Sequence, residues 1–175
     1  MSDQLKKIDK QYDHLKLLDL YNSLNMESNQ INFTTRGSDD MNDGVGSIFE
    51  YHPATEYCWN RIHPHFKGTY LEEVYNDLSG DWMLGRGRFM LMDDNNRALT
   101  WHYDTDYRLH IPLMTTEESW FILDDKNLHR MAELGSLYSL EASRYHAALN
   151  LSRTNKPRLH IVISAKPLIS NTDYK

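Results

Sequence analysis

The sequence predicts a mainly β domain, a double-stranded β-helix or jelly roll of the cupin-like kind, with supporting helices from its N-terminal part. Three observations predict it. From Asp81 onward, short runs rich in branched and aromatic residues alternate with turn residues at intervals of about ten. Before Asp81, helical spacing and Gly/Pro-punctuated stretches dominate instead. The chain has 175 residues, enough for one domain with a real core and short for two. The expected organisation is one domain over 1–175, with 1–80 as helical and loop support and 81–166 as the jelly-roll core.

In chain order, Leu5, Ile8, Tyr12, Leu15, Leu18 and Tyr21 recur at three- and four-residue steps, which predicts a helix from Asp3 to about Asn25. An extended segment follows at 30–35, then a loop over 36–47, where glycines and side-chain-to-backbone bonding by Asp, Asn and Ser disfavour regular structure. Its Asp39, Asp40 and Asp43 read as a solvated acidic loop or a cover over a cationic substrate. Residues 51–68 carry two prolines and read as irregular; 69–78 reads as a helix capped by Thr69 with Glu72 three residues on, ended by Gly80. Eight strands are then expected at 86–93, 98–103, 107–114, 119–123, 128–133, 136–141, 146–151 and 158–164.

Lys and Arg total 19 against 25 Asp and Glu, a balance that gives no long-range attraction toward phosphate backbones or anionic membranes. Nucleic acid and membrane are therefore not expected as partners. Cys58 is the single cysteine, so no internal disulfide can form, which suits a reducing compartment. No apolar run has signal-peptide or membrane-spanning character, so the expected location is the cytoplasm.

Chemistry concentrates at His102-Tyr103-Asp104. Alternate residues of a strand point to one side, so imidazole and carboxylate can converge on one ion. His146, at the start of a later strand, supplies a third ligand if that strand returns alongside the first. Two imidazoles and a carboxylate on one face of an octahedral ion leave positions open for a bidentate co-substrate and O2, as in non-haem Fe(II) oxygenases. Zinc suits the same donors, but the helical H-E-x-x-H display of zinc hydrolases is absent. An oxygenase of this type that uses 2-oxoglutarate needs a cation for the distal carboxylate, and Arg158 offers the planar bidentate fork. Arg108 and His110, two apart on one strand face, can add donors to the same pocket.

The run GRGRFMLMDDNNRALTWHYDTDYRLHIPLMTTEES, followed by GSLYSLEASRYHAALNLSRTNKPRLHIVI, resembles the aspartyl/asparaginyl β-hydroxylase family, which includes cis-proline hydroxylases. The resemblance covers roughly 85–164 and rests on ordered features: H-x-D, R-x-H-I-P-L, a glycine turn, H-x-x-x-N and an arginine opening an R-x-H strand. It implies a jelly roll, iron ligation by His102, Asp104 and His146, and 2-oxoglutarate held by Arg158 with Arg108 and His110 assisting. Two departures touch the pocket rim: Asp93-Asp94-Asn95-Asn96 stands where the family often has Pro-Gly, and Trp101 replaces a common proline. Asp104 places the centre nearer the proline-hydroxylase type than members that lack the carboxylate ligand.

The resulting expectation is an oxygenase that hydroxylates an amino acid, free or within a peptide or protein. The absence of sequence beyond Lys175 to build a large cap favours the peptide or protein substrate. The alternatives are a cupin-like metal enzyme that does not use 2-oxoglutarate, and a non-catalytic jelly-roll binding module. Arg36, Arg86, Arg88, Trp82 and Trp101 are candidate substrate contacts; Met90 and Met92 read as core. His63 and His65, with Pro64 between them, read as loop structure, and His160 as support for its neighbours. The sequence leaves oligomeric state and substrate identity open.

Overall fold

The computed structural model describes residues 3–25, 27–45 and 53–168, so the last two residues of the loop expected at 36–47 and the first two of the irregular stretch at 51–68 lie outside the described residues. In order, the elements are β1 (Leu5–Gln11), α1 (His14–Ser23), β2 (Gln30–Asn32), β3 (Thr34–Thr35), a 3₁₀ turn (Pro53–Cys58), β4 (Arg61–Ile62), a second 3₁₀ turn (Pro64–Phe66), α2 (Tyr70–Ser79) and β5 (Trp82–Met92). Then come β6 (Tyr107–Met114), β7 (Ser119–Ile122), β8 (Leu128–His129), β9 (Ser136–Glu141), β10 (Ala147–Asn150) and β11 (Arg158–Pro167).

The fold is a jelly-roll sandwich. A six-stranded antiparallel sheet runs β1-β9-β6-β11-β5-β2, and a three-stranded sheet runs β10-β7-β8. The two meet through Leu5, Met92, Tyr138 and Leu140 on the large sheet and Phe121, Leu123 and Ala148 on the small-sheet side. The opposite face of the large sheet is covered by the helices: Leu17 of α1 and Leu71, Val74, Tyr75 and Leu78 of α2 pack on Phe89, Leu109, Ile111, Leu159, Ile161 and Ile163. Burial on both faces explains why every residue of 158–165 is buried, with Leu159, Ile161 and Ile163 facing the helices and Arg158, His160 and Ser164 on the other side.

Residues 5–11 correct the sequence expectation. Leu5–Gln11 is not helix but the edge strand of the large sheet, paired with β9 through Leu5↔Leu140 and Lys7↔Tyr138. The helix begins only at His14, where the Asp13 side chain accepts hydrogen bonds from Leu15 N and Lys16 N as an N-cap. A three-to-four spacing thus ran across a strand and a helix, because an open edge on β9 overrides weak local helix preference. Residues 1–80 are accordingly more than helical and loop support, since β1 and β2 form both edges of the large sheet.

The helix at Tyr70–Ser79 stands where expected, but its capping differs. Thr69 Oγ1 donates to Phe66 O and Glu72 accepts from Gly68 N, so the reciprocal box does not form. The strand expected at 98–103 is reduced to two bridges, Ala98↔Leu149 and His102↔His146. The strand expected at 128–133 closes after His129. No helix among the described residues is long and apolar enough to cross a membrane.

Candidate metal centre and its pocket

The segment 97–104 lies along β10, on the side that β7 leaves open. Leu99 N donates to Ala148 O, His102 N to His146 O (3.1 Å), and His146 N back to His102 O (2.8 Å). His102 and His146 therefore form a hydrogen-bonded antiparallel pair, a register in which directly opposed side chains leave the same face. Their ring centroids are 4.5 Å apart. Asp104, two residues beyond His102, returns to that side and is anchored by its own N–H on Ala142 O.

One ligand atom from each of the three residues lies within 4.8 Å of the others, the only such grouping of three His, Cys, Asp or Glu among the described residues. Asp104 Oδ2 stands 3.9 Å from each Nε2. Adjacent donors of an octahedral ion with bonds of about 2.1 Å stand about 3 Å apart, so the three side chains close on a single metal by drawing in by about an ångström. Both imidazoles are set for it. His102 Nδ1 faces Thr100 O and His146 Nδ1 faces Arg144 O at 3.0 Å, and a carbonyl can only accept. The proton is thus held on Nδ1 and the Nε2 lone pair is presented inward. Burial, with smaller contributions from neighbouring charges, lowers the His146 pKa and favours the neutral ligand form. Burial pushes Asp104 up, but Arg108 and the two histidines outweigh it and hold the carboxyl below its ordinary range.

The three residues stand at a cavity of about 590 Å³, within the range of small-molecule sites. Its floor is the inner face of the large sheet, where pairing sets side chains in rows. Met92 lies beside Arg158, Met90 beside His160, and Arg88, Val162 and His110 share a row. Arg86, Arg88, Arg108, Arg158 and His110 line the cavity against two carboxylates, Glu56 and Asp104. The chain's net charge is −6, so this concentration of cations is local and argues for an anionic occupant.

Arg158 is buried with no carboxylate beside it among the described residues. Nη1 meets Met92 Sδ at 2.9 Å, Nη2 meets His160 Nδ1 at 3.1 Å, and the guanidinium lies 4.6 Å from the Phe121 ring centre. Its Nε is buried without a partner, as are both ring nitrogens of His110 and Nε2 of His160. Buried polar atoms left unmatched are costly, and an anion in the cavity would supply acceptors to Arg158 Nε and to the single N–H of a neutral His110. Burial pulls Arg158 down to about 9 and, with the charge of Arg158, holds His110 well below the usual histidine range.

Arg108 is engaged differently from the sequence expectation. Its Nη2 donates to Glu56 Oε2 at 2.6 Å, Nη1 to Thr105 O at 3.0 Å, and Nε stands 3.2 Å from Asp104 Oδ2 without hydrogen-bond alignment. It braces the ligand carboxylate against Glu56, a residue that sequence reasoning missed. Glu56 also accepts from Ser164 Oγ at 2.7 Å. No motif marks Glu56, which sits in the irregular segment before β4.

Of the five candidate substrate contacts, Arg86, Arg88 and Trp101 line the cavity. Arg36 instead pairs with Asp43 at 2.7 Å, and Trp82 packs on Tyr107 against the helix-covered core. Met92 is core, while Met90 faces the cavity. His63 is loop structure, its Nε2 bonded to Asp39 O. Trp101, Tyr103 and Tyr145 form an aromatic group at the cavity edge, Trp101 stacked on Tyr145 at 5.7 Å and Tyr103 edge-on to it at 5.3 Å.

No protein-family model and no curated protein matches the chain. Among solved structures, it is similar to the crystal structure of IDO from Bacillus thuringiensis, with a TM-score of 0.49 and 10% identity over 95% of this chain and 91% of that one.

Proposed function

We propose that the protein is an Fe(II)- and 2-oxoglutarate-dependent oxygenase that hydroxylates an amino acid, free or within a peptide or protein. One observation carries the reading: a convergent His102, Asp104 and His146 set opens on a cavity whose floor holds the buried guanidinium of Arg158, which has no carboxylate beside it among the described residues. Two imidazoles and one carboxylate leave positions open on the ion, which is what a bidentate co-substrate and dioxygen require.

With iron bound, this chemistry takes one oxygen of O2 into succinate as 2-oxoglutarate loses carbon dioxide, and the other into a substrate C–H bond. The chain's own residues do the rest. His102, Asp104 and His146 hold the metal, with Thr100 O and Arg144 O fixing the imidazole tautomers and Arg108 fixing the carboxylate. Arg158 takes the distal carboxylate of 2-oxoglutarate, and His160, bonded to its Nη2, orients the fork. Phe121, Leu140 and Ala148 supply the dry wall that keeps these charges strong.

The test is the anaerobic optical spectrum of the protein with iron(II) and 2-oxoglutarate. Bidentate chelation gives a weak visible charge-transfer band. Asp104→Ala abolishes it, and Arg158→Met demands about 100-fold more 2-oxoglutarate to reach it, the worth of a charge-assisted pair. A protein that binds iron but shows no band at any 2-oxoglutarate concentration rules the reading out.

A further inference from the structure

Resting on that reading, we propose that Arg88 and Glu56 form a second anchor, apart from Arg158, that seats the α-carboxylate and α-ammonium of a free amino acid as the substrate. Arg88 is a buried guanidinium with poor partners. Nη1 reaches Gln30 Oε1 only at 3.4 Å, Nη2 stands 3.8 Å from Glu56 Oε1, and Nε is buried with none. Glu56 is lopsided in the same way. Its Oε2 accepts from Arg108 and Ser164, whereas its Oε1 has, among the described residues, only the long approach to Arg88.

A cation and an anion 3.8 Å apart attract without a hydrogen bond, so each keeps capacity for a further partner of opposite charge. A carboxylate set on Arg88 and an ammonium set on Glu56 Oε1 close a ring of alternating charges, and an α-amino acid carries both groups on one carbon. The anchor is separate from the co-substrate station. Arg158 pairs with Met92 and Arg88 with Val162, four residues along β11, about 13 Å at the rise of an extended strand. Two anions can therefore be held without competing for one guanidinium. Trp101, Tyr103 and Tyr145, on the same cavity wall as His102 and His146, supply flat apolar surface for the remainder of the substrate. A residue inside a peptide offers neither free charge, so the anchor selects against a peptide or protein substrate.

The experiment uses the full chain and three probe sets: the common free amino acids, their α-carboxamides, and their N-acetylated carboxamides as stand-ins for peptide residues. Binding is read by calorimetry on the metal-free protein and by perturbation of the charge-transfer band with iron(II) and 2-oxoglutarate present. Succinate formation is read on admitting oxygen. The expected result is that one or a few free amino acids bind, perturb the band and accelerate succinate formation, while both amide sets bind about 100-fold more weakly. Arg88→Met raises KM for that amino acid by a similar factor, changes kcat less and leaves the 2-oxoglutarate band in place; Arg88→Lys recovers part of the loss. The proposal is overturned if no free amino acid binds, if amides bind as well as acids, or if Arg88→Met leaves KM unchanged. Failure of the band in the wild-type protein removes the oxygenase reading instead, and calorimetry on the metal-free protein still decides the anchor.

Discussion

At the scale of single residues, the site is defined by where charge has been left uncompensated. Arg158 is the clearest instance, because burial without a carboxylate makes it a liability to the ligand-free fold. Arg158→Met is therefore expected to stabilise the ligand-free protein by about 1–4 kcal/mol near neutral pH, while removing the stabilisation that 2-oxoglutarate confers on the wild type. The sign with pH follows from burial. The guanidinium is lowered from 12.5 to about 9, so the native state carries the buried charge below about pH 9 and sheds it above. The advantage of the Met variant is full below that pH and shrinks as pH rises through it. Denaturant titrations of both proteins at pH 7 and pH 10 measure this; equal stability at pH 7 contradicts it.

At the scale of elements, the candidate metal ligands depend on a residue far from them in sequence. Gln4, buried just before β1, donates from Nε2 to the carbonyls of Glu141, Arg144 and Tyr145 and accepts at Oε1 from Asp124 N. It ties the first strand to the turn that delivers His146. Gln4→Leu leaves three carbonyls and one N–H to find other partners, and loosens that turn. Iron affinity is expected to fall about 10- to 100-fold with the sheets intact, as for other groups that orient metal ligands. Metal titration together with far-ultraviolet circular dichroism separates this from unfolding. Gly135 is a second control point: it holds φ +76° and its Cβ would strike Tyr12 O, so Gly135→Ala combines left-handed strain with a backbone clash at the β1–β9 joint. Its expected cost is above about 2 kcal/mol in chemical denaturation.

The same elements show what sequence could reveal. β6 and β9 stand at their expected bounds, because a branched, aromatic run between turn residues has few other ways to bury itself. The grouping of His102, Asp104 and His146 was legible as a set of residue types, since H-x-D needs only local geometry. Its closure depends on the His102↔His146 register, which no local pattern states. β1 was misread because its pairing with β9 spans more than 120 residues. Glu56 and Gln4 were invisible for the same reason: each acts through partners about 50 to 140 residues away.

Across the whole molecule, the site draws on parts that share no local element. His102 and Asp104 come from the stretch laid on β10, His146 from the entry to β10, Arg158 from β11 of the opposite sheet, and Glu56 from the turn before β4. A metal with 2-oxoglutarate would join both layers of the sandwich and neutralise cations that the fold otherwise buries at a cost. Ligands that bind only the native state stabilise it by about 2.7 kcal/mol at a hundred times Kd, and a chain of this size shifts by about 2–4 °C per kcal/mol. Iron(II) and 2-oxoglutarate together, each at a hundred times Kd, should raise Tm by about 10–20 °C if their contributions add. Positive coupling should appear as a 2-oxoglutarate effect that is larger with iron than without, because the keto-acid end needs the ion and the distal end needs Arg158. Thermal melts under nitrogen with neither, either and both ligands measure that coupling. Equal 2-oxoglutarate shifts with and without metal would separate the two stations and leave Arg158 as an anion site unconnected to the centre.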